Sequence, residues 1–183
     1  MTRRRLVRTV GIVSAALSAS GCLDVRETEP SESGSEATDE RDPDLEIDGR
    51  YLSSAFPIEL VEPDFEASSG FGGDARLTYV HWHGAEISHW HQSPLEMAAG
   101  EELSGRTRFL EEGATEVPLD DGSAYFQKVD QTAETPDGVV SVSVDGGNVD
   151  IEAAGDGEAA IAFELWTDEG RQWRSPPLPI EVG

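Results

Sequence analysis

The chain has 183 residues, of which 37 are Asp or Glu and 13 are Lys or Arg, and its formal net charge at pH 7 is −24. A chain this acidic repels nucleic acid, so we expect no nucleic-acid partner. The same charge disfavours direct contact between its surface and an anionic membrane.

The N-terminus predicts export and lipid attachment. Arg3 and Arg4, followed by an apolar pair and another basic residue, match a twin-arginine export signal. The apolar run that follows, Thr9–Ala19, is shorter than the roughly 20 residues that a spanning helix needs. It leads to Ala-Ser-Gly-Cys at Cys22, which resembles a lipobox. We therefore predict that residues 1–21 are a cleaved signal peptide. The alternative is an uncleaved N-terminal anchor, or an ordinary export signal in which the cysteine is incidental.

Lipid on Cys22 would hold the protein at the outer face of the cytoplasmic membrane. Without the four arginines of residues 1–21, nine of the 13 basic residues remain against 37 acidic ones, and the formal charge becomes −28. Lys128 is the one lysine, against twelve arginines. This composition resembles that of proteins from salt-loving archaea, which stay soluble where surface charge is screened over about 3 Å.

The segment after the lipidation site predicts a disordered acidic tether over residues 22–49. It consists largely of Glu, Asp, Ser, Thr, Gly and Pro and has few large apolar residues. A segment of this composition cannot bury enough surface to order itself. The remaining residues, 50–183, are of ordinary size for one domain.

This domain has the sequence pattern of an all-β protein. Runs such as Val-Ser-Val-Ser-Val at residues 140–144 alternate apolar and polar residues, and glycine-rich turns separate the runs. Strands and turns at such short spacing predict a two-sheet antiparallel sandwich. The predicted strands are Phe56–Val61, Arg76–His83, Ser88–His91 with a weak continuation to Met97, Glu102–Leu110, Ala124–Val129, Val139–Val144, Val149–Ala153, Ala159–Trp166 and Leu178–Val182.

Three stretches carry a family resemblance: residues 97–103, with a Gly-Glu turn, residues 109–119, with an acidic hairpin, and residues 149–161, with a late Gly-x-Ala-x-Ile-like strand. Together they resemble the immunoglobulin-like modules of exported bacterial and archaeal proteins, including small haloarchaeal-type lipoproteins of uncharacterised function. The resemblance covers about residues 75–183. It implies an extracellular β-sandwich and no reaction.

All four histidines lie within eleven residues, as two copies of the tripeptide His-Trp-His: His81, His83, His89 and His91. In a strand, side chains two residues apart point to the same face, so each copy presents two imidazoles on one face and a tryptophan on the other. A hairpin across residues 84–88 would place His83 opposite His89 and His81 opposite His91. Four imidazoles could then share one ion.

The cluster therefore predicts a transition-metal site. Imidazoles without a thiolate suit zinc, copper(II) or nickel(II), and we expect a copper or zinc ion. Glu86 could add a carboxylate and Met97 a thioether. The alternative is that the histidines are exposed and do nothing, with the tryptophans as ordinary core residues.

Two functions of different class follow from these observations. The first is a lipid-anchored surface domain that binds a transition metal. The second is an adhesion or protein-interaction module of the cell envelope, in which Trp82, Trp90, Trp166 and Trp173 lie in the core or on a binding face. No serine-hydrolase elbow, phosphate loop or dinucleotide fingerprint is present, so we expect no enzyme activity and no catalytic residues.

Overall fold

Alternating apolar and polar residues form strands throughout the part of the chain that the computed structural model describes, which is residues 41–65, 72–133 and 135–183. Two short 3-10 helices, Pro43–Leu45 and Gly73–Ala75, accompany them. The strands are β1 (Glu46–Ile47), β2 (Arg50–Tyr51), β3 (Ile58–Val61), β4 (Arg76–His81), β5 (His89–His91), β6 (Leu95–Met97), β7 (Glu102–Phe109), β8 (Phe126–Gln131), β9 (Val140–Asp145), β10 (Asn148–Ala153), β11 (Gly157–Thr167), β12 (Gly170–Arg174) and β13 (Leu178–Val182).

The strands form two main sheets. The first has six strands in the order β5-β4-β3-β7-β10-β9. In the second, β12, β13 and β6 lie on one side of β11, and β8 pairs with its other side. The pairs are antiparallel except for β13 and β6, which run parallel. The short β1-β2 hairpin forms a separate ribbon.

The inner faces of the two main sheets share one hydrophobic core. Trp90 of the first sheet packs against Phe163 of the second, with ring centroids 5.6 Å apart. Trp173 of β12 contacts both Trp82 and Phe109, at 5.9 Å each. The prediction of an all-β, immunoglobulin-like two-sheet sandwich is thereby confirmed.

The tether prediction is wrong for its last nine residues. Residues 41–49 belong to the folded domain, because Leu45 and Ile47 are fully buried in the core. Asp48 and Gly49 both have positive φ, 49° and 74°, as the tight turn of a β1-β2 hairpin requires. The Asp-Gly dipeptide is a hairpin signal in the sequence, but the acidic composition around it obscured that signal.

The sequence analysis also missed β12. This strand follows the two-residue turn Asp168-Glu169 and pairs with the end of β11. Its residues are mostly polar, and the side chain that it buries is Trp173. Within the described ranges, no helix has the length and apolar character needed to cross a membrane.

Candidate metal site

The first sheet places the histidines on its outer face. Strands β4 and β5 pair antiparallel, with Val80 opposite Trp90 and His81 opposite His89. Val80 and Trp90 are buried, so the alternation of a strand turns the neighbouring histidines outward. This separation of tryptophan from histidine matches the prediction from the His-Trp-His pattern.

The register of the hairpin differs from the prediction by two residues. His81 lies opposite His89 instead of His91, His91 lies opposite Tyr79, and His83 lies beyond the end of β4. Because side chains alternate with a period of two, a shift of two residues keeps every histidine on the predicted face. The predicted pairing was therefore wrong, while the predicted face was correct.

Contacts of Trp82 outside the hairpin account for this register. The backbone N–H of Trp82 donates to the carbonyl of Ala55 at 3.1 Å instead of to β5. Its indole Nε1–H donates to Oδ2 of Asp42 at 2.7 Å. These bonds end β4 at His81 and lengthen the connection. Ser88 then holds His83 in place, because its hydroxyl accepts from the His83 N–H at 2.8 Å.

The four imidazoles form one group, which we call the histidine cluster: His81, His83, His89 and His91. Ring centroids are 4.2 Å apart for His81 and His83 and 4.9 Å apart for His89 and His91. Across the hairpin, His81 is 5.4 Å from His91 and 6.3 Å from His89, and His83 is 5.7 Å from His89. His81 and His91 are half-buried, whereas His83 and His89 are exposed.

Two observations describe the chemical state of the cluster. Burial lowers the pKa of His81 below its ordinary value of 6.5, and repulsion from His83, His91 and His89 lowers it further. The Nε2 atom of His91 is buried and has no hydrogen-bond partner in the described structure. A neutral imidazole with an unused nitrogen is the form that binds metal ions.

The ring nitrogens do not yet converge on one point. Within residues 41–65, 72–133 and 135–183, no three His, Cys, Asp or Glu side chains stand in an arrangement able to hold a metal ion. Glu86 is exposed in the connecting turn. Met97 is buried in the core, and its backbone pairs with that of Val182, so it cannot supply a thioether to the cluster.

Three residues that the sequence analysis did not identify as part of the site contact the histidine rings or one another beside them. Tyr79 stacks on His91, with centroids 4.8 Å apart and planes inclined by 4°. Phe56 contacts both Tyr79 at 5.2 Å and His81 at 5.6 Å. The guanidinium of Arg76 lies 4.3 Å from the centre of the Tyr79 ring. The contacts of Phe56 and Tyr79 with the histidines join residues 12 or more positions apart, so no local sequence signal could reveal them.

The four tryptophans divide between core and surface. Trp82, Trp90 and Trp173 are buried. Trp166 is half-buried on the outer face of the second sheet, where the ammonium of Lys128 lies 3.8 Å from the ring centre. A binding face built from all four tryptophans is therefore ruled out.

The predicted export and lipidation residues, Arg3, Arg4 and Cys22, lie outside the described residues, as does the tether up to residue 40. Export through the twin-arginine signal, lipid attachment at Cys22 and the tether before residue 41 therefore stay predictions.

Comparisons with known proteins do not place this chain in a family. No family model matches it, and no curated protein matches it. One solved structure, described as "Crystal structure of the S-layer protein SbsC domains 4 and 5", aligns over 76% of this chain and 98% of the other, with 10% identity and a TM-score of 0.37. The assignment of the fold therefore rests on the strand pairing of this chain.

Proposed function

We propose that this protein is a lipid-anchored, non-catalytic surface domain that binds a transition-metal ion through His81, His83, His89 and His91. The observation that carries the proposal is the spacing of the four rings. Imidazoles bound to one tetrahedral zinc ion, with Zn–N bonds of about 2.0–2.1 Å, have ring centres about 5 Å apart. Five of the six ring pairs in the histidine cluster have centroid separations of 4.2–6.3 Å, which bracket that value.

Binding requires the side chains to turn. Rotation about their torsions would have to bring the ring nitrogens of the histidine cluster toward one point. The χ2 torsion of histidine is broad, which makes such rotation inexpensive. The rings of His83 and His89 are exposed to solvent, whereas Tyr79 stacks against His91 and Phe56 contacts His81.

The donor set limits the choice of ion. Imidazole nitrogen suits zinc and copper(II), and copper binds more tightly at a given nitrogen site. A blue-copper centre requires a thiolate, and the one cysteine of the chain is Cys22 in the predicted lipobox. We therefore propose zinc or copper(II) held by imidazoles alone, without a redox role.

The cellular setting comes from the sequence. The twin-arginine pattern at Arg3 and Arg4 and the lipobox at Cys22 support export and anchoring at the outer face of the cytoplasmic membrane. The acidic composition supports a protein that works in brine.

Metal-dependent melting tests the proposal. Zinc or copper(II) at 100 times its dissociation constant should stabilise the fold by about 2.7 kcal/mol and raise Tm by several degrees. The double variant His83→Ala/His89→Ala should lose this shift. Ile87→Ser is the matched control, because it changes the same hairpin without removing an imidazole. A shift that persists in the double variant contradicts the proposal.

One observation favours a second candidate function, contact with an envelope protein. Ile87 lies at the tip of the histidine hairpin and is 68% exposed, more than any other large apolar side chain of the described residues. A protein-contact module would lose partner binding in Ile87→Ser and would show no change of Tm with metal.

A further inference from the structure

The edge strand β9 differs from the other sheet edges because it is six residues long and carries no charge in its interior. Its first five residues, 140–144, are Val-Ser-Val-Ser-Val, and the acidic Asp145 comes at its end. Natural proteins protect exposed edges with charged residues, proline or short strands, since an unprotected edge can pair with another strand. In a chain with 37 acidic residues, an uncharged edge of this length needs a physical explanation.

The other edge strands of the two sheets are protected in these ways. In the six-stranded sheet, the opposite edge is β5, which is three residues long and carries the histidines. The remaining edges have charged residues within their strands: Glu96 in β6, Lys128 and Asp130 in β8, and Arg171 and Arg174 in β12.

The backbone of β9 has N–H and C=O groups that do not bond to β10. Pairing with β10 begins at Asp145 opposite Asn148, across a two-residue turn. In an antiparallel pair, alternate residues bond to the partner strand, so the groups of Val142 and Val144 point away from β10. Among the described residues, nothing hydrogen-bonds to these outward groups. At the near end of the strand, the carbonyl of Val140 accepts from Gln131 at 3.1 Å.

The same five residues are self-complementary. An antiparallel pair of two β9 strands centred on Val142 places valine opposite valine and serine opposite serine, with a two-fold axis through the centre. Such a contact uses the same patch on both copies and closes after two subunits. It also brings no like charges directly opposite each other, a placement that would be destabilising.

We infer that β9 is the docking edge for a second copy of this chain, which joins the six-stranded sheets of two molecules into one. The interface is small, so the dimer is weak in solution. Because both copies are strongly negative, association strengthens in high salt, where charge is screened over about 3 Å at 1 M. Copies held on one membrane by their lipid would meet at a higher effective concentration.

Sedimentation equilibrium in molar KCl tests this inference. The full chain carries Cys22→Ser, so that neither lipid nor an intermolecular disulfide can join two copies. We expect a concentration-dependent equilibrium between monomer and dimer. Val142→Pro removes the central outward N–H, and proline is tolerated where that group faces solvent. This variant should be monomeric.

Ser143→Glu provides a second variant that leaves the backbone unchanged. It places a carboxylate on the exposed outer face of β9, opposite Ser141 of the second copy. The hydroxyl of Ser141 donates to the carboxylate of Glu152, so the new carboxylate would lie near another negative charge. We expect association to weaken about tenfold or more, whereas the uncharged control Ser143→Gln should dimerise as the parent does. Near-UV circular dichroism of the buried tryptophans verifies the fold of each variant.

Two results would overturn the inference. One is a parent chain that stays monomeric at every concentration and salt level. The other is a dimer that persists in both Val142→Pro and Ser143→Glu, which would place the contact elsewhere. Neither result bears on the histidine cluster, which lies at the opposite edge of the sheet.

Discussion

Glu59 is a fully buried carboxylate on the outer face of the first sheet. It lies opposite Tyr79, the residue whose ring stacks on His91. Glu59 forms an ion pair with Nε of Arg76 at 2.9 Å, and it accepts hydrogen bonds from Nη1 of Arg108 and from the N–H of Gly72. Arg108 is itself 1% exposed and also bonds Glu116. A buried charge of this kind is tolerated only when its partners are in place.

Replacing Glu59 by glutamine leaves two guanidinium groups without their central counter-charge. We expect Glu59→Gln to lower the free energy of unfolding by about 3–5 kcal/mol, measured by urea denaturation. Glu164→Gln is the comparison, because Glu164 also binds two arginines, but these are 48% and 32% exposed. Its loss should cost about 1–2 kcal/mol. Because Glu164 is itself buried, equal costs would show that the burial of the arginine partners has no effect.

The chemistry of Glu59 could not be predicted from sequence. It lies in the apolar run of β3, and its partners are 17 and 49 positions away along the chain. The outward face of the histidines, by contrast, could be predicted, because their period of two is a local property of a strand. Their pairing across the hairpin could not be predicted, because it depends on the hydrogen bonds from Trp82 to Ala55 and Asp42.

At the level of elements, the β4-β5 hairpin gathers four bases that repel one another when charged. Because burial and neighbouring imidazoles lower the pKa of His81 below 6.5, the unfolded chain takes up this proton first as the pH falls. The stabilising contribution of neutral His81 is therefore present above pH 6.5 and is lost as the pH falls from that value toward the lower folded pKa.

We accordingly expect the metal-free protein to lose stability as the pH falls below 6.5, the ordinary pKa of a histidine. His81→Gln removes this titration and leaves every carboxylate unchanged, so its free energy of unfolding should fall less over the same range. Urea denaturation at a series of pH values gives the comparison. Identical slopes for the parent and His81→Gln would contradict the assigned shift.

The segment from Arg41 to Ile47 provides a second test at this level. If these residues belonged to the tether, changing them would not affect stability. Because Ile47 is fully buried, we expect Ile47→Ala to cost about 2–5 kcal/mol. Glu46→Ala alters the exposed neighbour in the same short strand and should cost much less. Thermal or urea unfolding distinguishes the two outcomes.

Sequence patterns were most informative where apolar and polar residues alternate regularly. Strands β4, β7, β10 and β13 lie close to their predicted positions, because an alternating pattern needs no distant partner to be recognised. The β1-β2 hairpin and β12 were missed because their residues are mostly polar. Their places in the fold come from single buried side chains, Ile47 and Trp173.

At the level of the whole molecule, the sandwich separates its core from its candidate surfaces. The tryptophans between the sheets fix the hairpin from below, and the same strands turn the histidine cluster outward. The opposite edge of the same sheet offers β9. A domain that faces solvent on several sides suits the proposed place at the cell surface, with lipid on Cys22 as its link to the membrane.

X-ray absorption at the zinc edge tests the central claim most directly, because it counts the ligands of the bound ion. The untagged protein loaded with one equivalent of zinc is required, since a polyhistidine tag would supply its own imidazoles. We expect Zn–N distances of about 2.0–2.1 Å and the scattering of at least three imidazole rings, reduced in His83→Ala/His89→Ala. A spectrum of oxygen ligands alone, with no imidazole scattering, would contradict the metal site.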